Sequence, residues 1–397
     1  MIEPTGKMAK SSEANSAPDV ALILLNNSGI GGTERRFAQV FRGLRARQVS
    51  VSLVINESLQ LRLVRSRLLD PDAAGLVVKE RVGKVAYALR KMDYALACVS
   101  VGWWLFRIKP KVMHLVLSGA YAALPAQALG WAPPAILSIV CPSLRELVGS
   151  APGLWLYRRA LKRAALVDAL TESVGAMVES AGVAPERIRV SSGSCVDTNR
   201  FRPASTKKPW VVFSGRLVEE KNPILFVEAC ALVHRLMPEA RFFLLGDGPL
   251  RRPVEESIRR HKLGACTDVG WRDEVEEILG PALLFASLQR MDNYPSQALL
   301  EAMACGASVV ATDVGLTAKL VDHTVGLRVQ ADPISVADAL VRLLADPERT
   351  QILGERGRER VLRDHSLDAY LTHLEGLYAA AGESGAQPAY ASAEARR

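Results

Sequence analysis

Short apolar runs alternate with longer amphipathic stretches along most of this chain, and the alternation happens twice. Apolar runs at 20–26, 49–55, 74–78, 111–117 and 135–140 read as buried strands. The stretches between and after them, 33–47, 58–69, 83–106, 120–129 and 153–165, return their apolar residues at helical spacing. ALVDALTES (Ala165–Ser173) predicts one more short strand, ending at Thr171-Glu172-Ser173. From Trp210 the strand–helix alternation resumes and runs to about Asp364, closing with helices over 335–345 and 347–363, and a last helix is predicted over Asp368–Ala380. Strands apolar along their whole length, each followed by a helix, imply parallel sheets covered on both faces. A chain of 397 residues exceeds one ordinary core and fits two domains plus ends. The fold class expected is therefore α/β, as two Rossmann-like, doubly wound parallel-sheet domains. The expected boundaries are a disordered tail over 1–17, a first domain over 18–203, a polar linker RPASTKKP, a second domain over 210–366, a helix over 367–382 and a second tail over 383–397.

Four loops carry the candidate chemistry. DNYPSQALLEAMACG (Asp292–Gly306) follows the apolar run PALLFASLQ and precedes another, ASVVAT. Asp292 thus stands at a strand end, a polar loop with Asn293 and Pro295 follows, and Glu301 rides on the next helix, whose Leu299, Leu300 and Ala304 face inward. The N-terminus of such a helix opens on the crevice where doubly wound sheets bind ligands, and its N–H groups suit oxyanions and sugar hydroxyls. WVVFSGRLVEEKNP (Trp210–Pro223) is a strand ending at Ser214-Gly215, with Arg216 and Lys221 just beyond. A leaving diphosphate needs such charges, Arg as a fork and Lys as a mobile point charge; a solvated pair of loop cations is the plainer reading. FFLLGDGPLR (Phe242–Arg251) runs a strand into a turn where Gly246 and Gly248 let backbone approach a nucleotide. VALILLNNSGIGGTERR (Val20–Arg36) places Gly31-Gly32-Thr33-Glu34 between strand and helix. This loop is not the GxGxxG of dinucleotide binders, no acid follows a second strand at the expected distance, and no Gly-Lys-Ser/Thr follows as in a Walker loop.

Together these segments resemble the motifs of retaining glycosyltransferases of family 4, which have the GT-B fold with a cleft between two domains. The usual acid motif is close to EGFPNVLLEAMACG; here Asp replaces the first Glu and one extra residue makes it acid-x8-acid. Gly215-Arg216-Leu217 with Lys221-Asn222 resembles the family's GRL-x3-KN segment. Gly246-Asp247-Gly248-Pro249 resembles its glycine turn, and Gly31–Glu34 its GGxE loop. RIRVSSGSCVDTNRF (Arg187–Phe201) resembles the segment that closes the first domain, and the last helix is expected to pack back on that domain. The resemblance implies that Arg216 and Lys221 neutralise the donor diphosphate, that Asp292, Asn293, Tyr294 and Ser296 hold sugar hydroxyls, and that Glu301 binds the ribose. Gly31, Gly32, Gly215, Gly246 and Gly248 would give backbone access to the donor. It further implies sugar transfer from a nucleotide-diphosphate sugar with retention, a phosphate oxygen taking the acceptor proton. No metal or other cofactor is expected: no Asp-x-Asp follows a strand in the right place, and Asp70-Pro71-Asp72 reads as a turn.

One departure counts against turnover. Where the family has a His on a first-domain loop, this chain reads AILSIVCPS, with Cys141 at about that place. His114, in KVMHLVLSG, reads either as a packed strand histidine or as a site residue. A GT-B protein that binds nucleotide sugar or a partner without transfer is therefore a second reading. A nucleotide-sugar epimerase would need several carboxylates and histidines in the first domain, which is poor in both.

Charge adds a partner. The formal charge is +8, yet from Arg35 to Ala165 there are 21 Lys and Arg against 6 Asp and Glu, a surplus of +15 that leaves −7 elsewhere. No zinc-finger, RNP or homeodomain pattern suggests nucleic acid. An anionic membrane suits the cationic half, and with it a lipid-linked or polysaccharide-precursor acceptor. YALACVSVGWWLF (Tyr94–Phe106) is flanked by Arg90, Lys91, Arg107, Lys109 and Lys111 and is too short to span a bilayer. It reads either as a buried helix or as an interfacial one with Trp103 and Trp104 at headgroup depth. The six cysteines form no CxxC pair and read as free thiols. The polar first 17 residues hold no signal-peptide core, so the expected location is cytoplasmic, peripheral at the inner face of the membrane.

Overall fold

The computed structural model describes residues 19–25, 32–79, 87–117, 119–130, 132–140, 151–191 and 194–385. Two compact units result: one takes the chain up to Gly193 and again from Tyr370, the other takes Ser194–Ala369. The last helix runs from Leu367 to Gly385, three residues into the expected tail; the rest of both tails lies outside the described residues.

In the first unit, β1 (Val20–Leu25), β2 (Val51–Asn56), β3 (Ala74–Val78), β4 (Val112–Leu117), β5 (Ala135–Ile139), β6 (Leu166–Ala169) and β7 (Ile188–Val190) form one parallel sheet in the order β3-β2-β1-β4-β5-β6-β7. Every residue of β1 is buried, because the strand lies mid-sheet with both faces covered. The chain reverses direction across the sheet after β3, so β1 and β4 flank its switch point. The strand read over Ala165–Ser173 stops at Ala169, and its last two residues open the helix Glu172–Ser180, where the Thr171 hydroxyl accepts from the Val174 N–H at 3.2 Å. β7 escaped the sequence reading because it is three residues long and mostly exposed.

The second unit repeats the plan. β8 (Lys208–Ser214), β9 (Arg241–Leu245), β10 (Thr267–Gly270), β11 (Ala282–Ser287), β12 (Ser308–Thr312) and β13 (Gly326–Val329) pair in parallel in the order β10-β9-β8-β11-β12-β13. Its switch point lies between β8 and β11. The unit begins before the expected linker. Val196 N donates to His365 O at 2.8 Å, Leu367 N donates to Val196 O at 2.9 Å, and Phe201 is buried in this unit's core. Lys207, read as part of a polar linker, is clamped: its Nζ donates to the carbonyls of Gly280, Ala282 and Cys305 at 2.8, 3.0 and 2.6 Å. Burial holds the Lys207 ammonium down to about 8.

A buried polar network ties the last helix into the first unit. His114 on β4, Ser138 on β5 and Asp168 on β6 lie on adjacent strands, with Ser138 and Asp168 in direct register. Ser138 Oγ donates to Asp168 Oδ2 at 2.8 Å, and His114 Nε2 is 2.8 Å from Ser138 Oγ. From the helix Leu367–Gly385, Tyr370 donates to Asp168 Oδ2 at 3.0 Å, His373 Nε2 lies 3.2 Å from Asp168 Oδ1, and Tyr378 Oη lies 2.8 Å from His114 Nδ1. Ser191 donates to Asp168 Oδ1 at 2.5 Å. Since Ser138 gives its one proton to Asp168, it accepts from His114 Nε2–H, and neutral His114 accepts from the Tyr378 hydroxyl. Burial drives the His114 pKa down to about 4, against the pull of the Asp168 charge. Burial would raise Asp168, but the bonds from His373, Ser191 and Ser138 outweigh it and hold the carboxyl below its usual range. His114 is thus a packed strand histidine, the plainer of its two readings. The same helix lies so close to the helix Gly32–Ala46 that a side chain at Gly43 would collide with Leu371. Arg47 also donates to Thr372 and Glu375 at 3.1 and 3.0 Å.

Candidate active site

The site assembles at the carboxyl edge of the second sheet, around the β8–β11 switch point. Two glycine turns meet there backbone to backbone. A Cβ on Gly246 (φ +159°) would strike the Gly215 carbonyl, and one on Gly248 (φ +158°) would lie 2.6 Å from the Leu217 oxygen. Leu217 N donates to Asp247 O at 3.0 Å and Leu250 N returns a bond to Leu217 O at 2.9 Å, zipping the two loops together. Only glycine permits this approach, which is why both segments of sequence need it. Gly215 (φ +150°) has nothing near its missing side chain, so its backbone faces open space.

Arg216 and Lys221 stand on the loop so fixed. Arg216 is exposed and Lys221 half-buried. Burial, and after it the Arg216 charge, push the Lys221 ammonium down to about 8 against the opposing pull of Glu220. The two cations repel each other, and an anion placed between them would relieve the repulsion. Asn222 ends this turn in the left-handed conformation (φ 56°), which Asn tolerates, and Pro223 then opens the helix Pro223–Leu236. The Lys-Asn-Pro run thus has a backbone reason as well as a chemical one.

Arg290, just beyond β11, was not singled out in the sequence. Its N–H donates to Glu220 O at 2.9 Å, its guanidinium pairs with Glu219 at 3.2 Å, and it reaches Asn222 Oδ1 at 3.4 Å. It ties the cation loop to the acid loop. Its only sequence signal was position, a cation directly after a buried strand. Glu219 and Glu220, given no role in the sequence, supply the partners of this tie.

In the acid loop, Asp292 is exposed and its Oδ1 accepts from Tyr294 N at 3.2 Å and from Leu316 N at 3.1 Å. It packs over Gly315 (φ +52°), where a side chain would overlap it. Asp292 therefore pins its own loop to the one following β12. Asn293 is exposed, Tyr294 half-buried with Lys319 Nζ 6.0 Å from its ring centre, and Ser296 buried. Ser296 occupies the N-cap of the helix Gln297–Ala304, and its hydroxyl makes no capping bond there. Glu301 lies about 6 Å further along the axis than Gln297. Gln297 Nε2 donates to Glu301 and to Cys195 O, each at 3.2 Å, while Gln297 Oε1 accepts from Ser194 at 3.0 Å. This glutamine orients Glu301 and anchors the helix. At the helix's far end, Lys207 caps Cys305 O and Arg358 donates to Ala304 O, placing two cations where the helix dipole favours them.

The second unit thus brings together Gly215, Arg216, Lys221, Gly246, Gly248 and the Asn293–Glu301 segment. Gly32 opens a helix of the first unit with nothing within 4 Å of its missing side chain. Gly31 and Cys141 lie outside the described residues. Cys98, Cys195, Cys230, Cys266 and Cys305 are free thiols, as read from the sequence.

Comparison with known proteins agrees with the motifs. Residues 196–360, nearly the whole second unit, match the model of the family described as glycosyl transferases group 1. The chain is 28% identical over 259 residues to alpha-D-kanosaminyltransferase of Streptomyces kanamyceticus, covering 59% of this chain and 66% of that one. It is 28% identical over 245 residues to alpha-maltose-1-phosphate synthase of Mycolicibacterium smegmatis, covering 53% and 62%. The chain therefore spans about two thirds or less of the length of these relatives. Among solved structures, Anabaena Alr3699/HepE in complex with UDP and glucose superposes with a TM-score of 0.70 at 16% identity, over 91% of this chain and 99% of that one. That likeness shows the fold, GT-B, with its two parallel-sheet α/β units.

Proposed function

We propose that this protein transfers a sugar from a nucleotide-diphosphate donor, with retention at the anomeric carbon, to a lipid-linked or polysaccharide-precursor acceptor at a membrane. The observation that carries the reading is the pair Arg216 and Lys221, held close enough at a switch point by interlocked glycine turns for the Arg216 charge to push the Lys221 ammonium down. A donor diphosphate there would accept from Arg216 and Lys221 and from the N–H groups beside Gly215. Glu301, oriented by Gln297, would receive the ribose hydroxyls. Asn293, Tyr294 and Ser296 would face the sugar, and Asp292 would shape the loop that presents them. As the bond from the anomeric carbon to the diphosphate breaks, the acceptor oxygen forms its bond from the same face. The departing phosphate oxygen takes the acceptor proton, so no protein base enters, and the two cations hold the charge that accumulates on the diphosphate. No metal is invoked, since those cations supply the neutralisation.

The test is calorimetric titration of UDP, GDP, ADP and CMP into the wild-type protein and into Lys221→Ala and Glu301→Ala. One nucleotide should bind, and both substitutions should weaken it. Failure of all four to bind would remove the donor site. The family's first-domain His is replaced at about Cys141, which favours a second reading, a protein that binds nucleotide sugar without transferring it. Release of nucleotide from the bound donor, with acceptor-containing lipid extract present, separates the two.

A further inference from the structure

From Ala97 to Phe106 the helix Tyr87–Ile108 carries large apolar side chains on two opposite sides. Ala97, Val101, Trp104 and Leu105 face the core of the first unit, with Trp104 only 2% exposed. On the opposite side Val99, Trp103 and Phe106 form a stripe spaced four and three residues apart, 70%, 44% and 53% exposed. A helix apolar all round is ordinarily covered all round. No helix among the described residues is long and apolar enough to cross a membrane, so this stripe is not half of a span. The helix Gly119–Ala128 packs against both this helix and Ala151–Arg163, so the three share one layer over the sheet. The third helix adds Trp155, 61% exposed, and Leu156, 39% exposed.

The charges around these residues select the occupant. Ala151–Arg163 contains four cations, Arg158, Arg159, Lys162 and Arg163, all exposed, and no Asp or Glu. Arg107 and Lys109 close the first helix. Three of the exposed aromatics each carry a cation: Arg107 lies 5.4 Å from the Trp103 ring centre, Lys109 6.0 Å from Phe106 and Arg159 5.5 Å from Trp155. Aromatic rings beside long cationic side chains match the boundary between acyl chains and anionic headgroups, where the rings sink and the charges stay at the surface.

We propose that the outer face of this helical layer, centred on Trp103, Phe106 and Trp155, seats the protein on an anionic lipid bilayer. It deepens the reading of a membrane-borne acceptor and rests on that reading for its purpose, while the surface itself belongs to the first unit alone. Of the two tryptophans in the interfacial reading, Trp103 is exposed, while Trp104 is buried, as the buried-helix reading has it. Adjacent helical residues diverge by about 100°, so Trp103 meets the lipid and Trp104 the core, and Trp155 takes the second place.

Co-sedimentation of the full chain with phosphatidylcholine vesicles, and with vesicles one third phosphatidylglycerol, tests the surface. The wild-type protein should partition onto the anionic vesicles and not onto the neutral ones. Arg158→Ala with Arg159→Ala should weaken partition about fivefold per charge, and Trp103→Ala with Trp155→Ala should weaken it at least about tenfold. The urea-unfolding transition of the first unit, measured in the same variants, should keep its wild-type midpoint and so report an intact fold, and nucleotide binding should stay at the wild-type level. Equal partition onto both vesicles, or onto neither, overturns the proposal. A dimer that Trp103→Ala dissociates, without vesicle binding, assigns the surface to a second copy instead. Lipid binding without nucleotide binding sinks the transferase reading and leaves this surface standing; the reverse sinks the surface alone.

Discussion

The two units share one strand order yet treat their polar groups in opposite ways. In the first, the polar residues of β4, β5 and β6 turn inward and are matched to one another: His114, Ser138 and Asp168 bond in series and take three partners from the last helix. In the second, the cations sit beyond the strand ends, on loops, and Arg216 and Lys221 repel each other. The same scaffold thus carries a closed polar network in one unit and an open one in the other. A closed network specifies structure; a pair of like charges on loops is what the proposed donor site would use.

The contrast breaks most severely at Asp168. Asp168→Ala leaves Ser138, Ser191, Tyr370 and His373 without their acceptor and should lower the stability of the first unit by about 3–5 kcal/mol. Urea unfolding should show one transition moving while nucleotide affinity holds. The next largest effect is on acidification. His114 has a folded pKa of about 4, below its ordinary 6.5. Its contribution is therefore complete above pH 6.5 and is lost as pH falls from there toward 4, by about 3 kcal/mol in all. Asp168, also held low, withdraws its contribution only further down. Unfolding midpoints at pH 7 and pH 4.5 should differ accordingly, and His114→Gln should flatten the difference between them.

In the open unit, Lys221→Ala should weaken nucleotide diphosphate binding by about 10- to 100-fold, the worth of one charged hydrogen bond, with almost no change in melting temperature. Because the free protein holds Lys221 at about 8, affinity should decline as pH rises past that value. Lys221→Arg should remove this decline, since Arg keeps its proton. A pH-independent wild-type affinity would show that Lys221 does not meet the phosphates. The smallest effect is expected at Asp292→Asn. The amide oxygen can still accept from Tyr294 and Leu316, so stability should shift by no more than about 0.5 kcal/mol. A large loss of transfer with binding intact would show that the negative charge itself acts on the sugar.

Legibility followed the same division. β1 and β11 announce themselves as unbroken apolar runs, because strands buried on both faces carry no polar residue to interrupt them. The site loops were legible because each is contiguous: Gly215 to Asn222 is one turn, and Asp292 to Gly306 one loop and helix. What stayed hidden was whatever strand pairing brings together. His114, Ser138 and Asp168 lie in three separate runs, VMHLVL, AILSI and LVDA, and each alone is a single polar residue in an apolar strand. Only register places them side by side. Lys207 misled for a related reason: in sequence it is one of two lysines in a polar linker, and its partners are carbonyls some 73 to 98 residues away. Arg290 and Gln297 act through loops that the sequence separates and the sheet rejoins.

The return of the chain to the first unit at Tyr370 also bears on the order of synthesis. Translation delivers β1 to β7 first, then the whole of Ser194–Ala369, and only afterwards the helix that covers His114 and Asp168. At roughly 5–20 residues per second, the earlier sheet waits many seconds on the ribosome with its polar ladder uncovered, while the later unit already has every residue its own core needs. The unit made second can therefore finish first, and the unit made first is completed by a helix that emerges only after it.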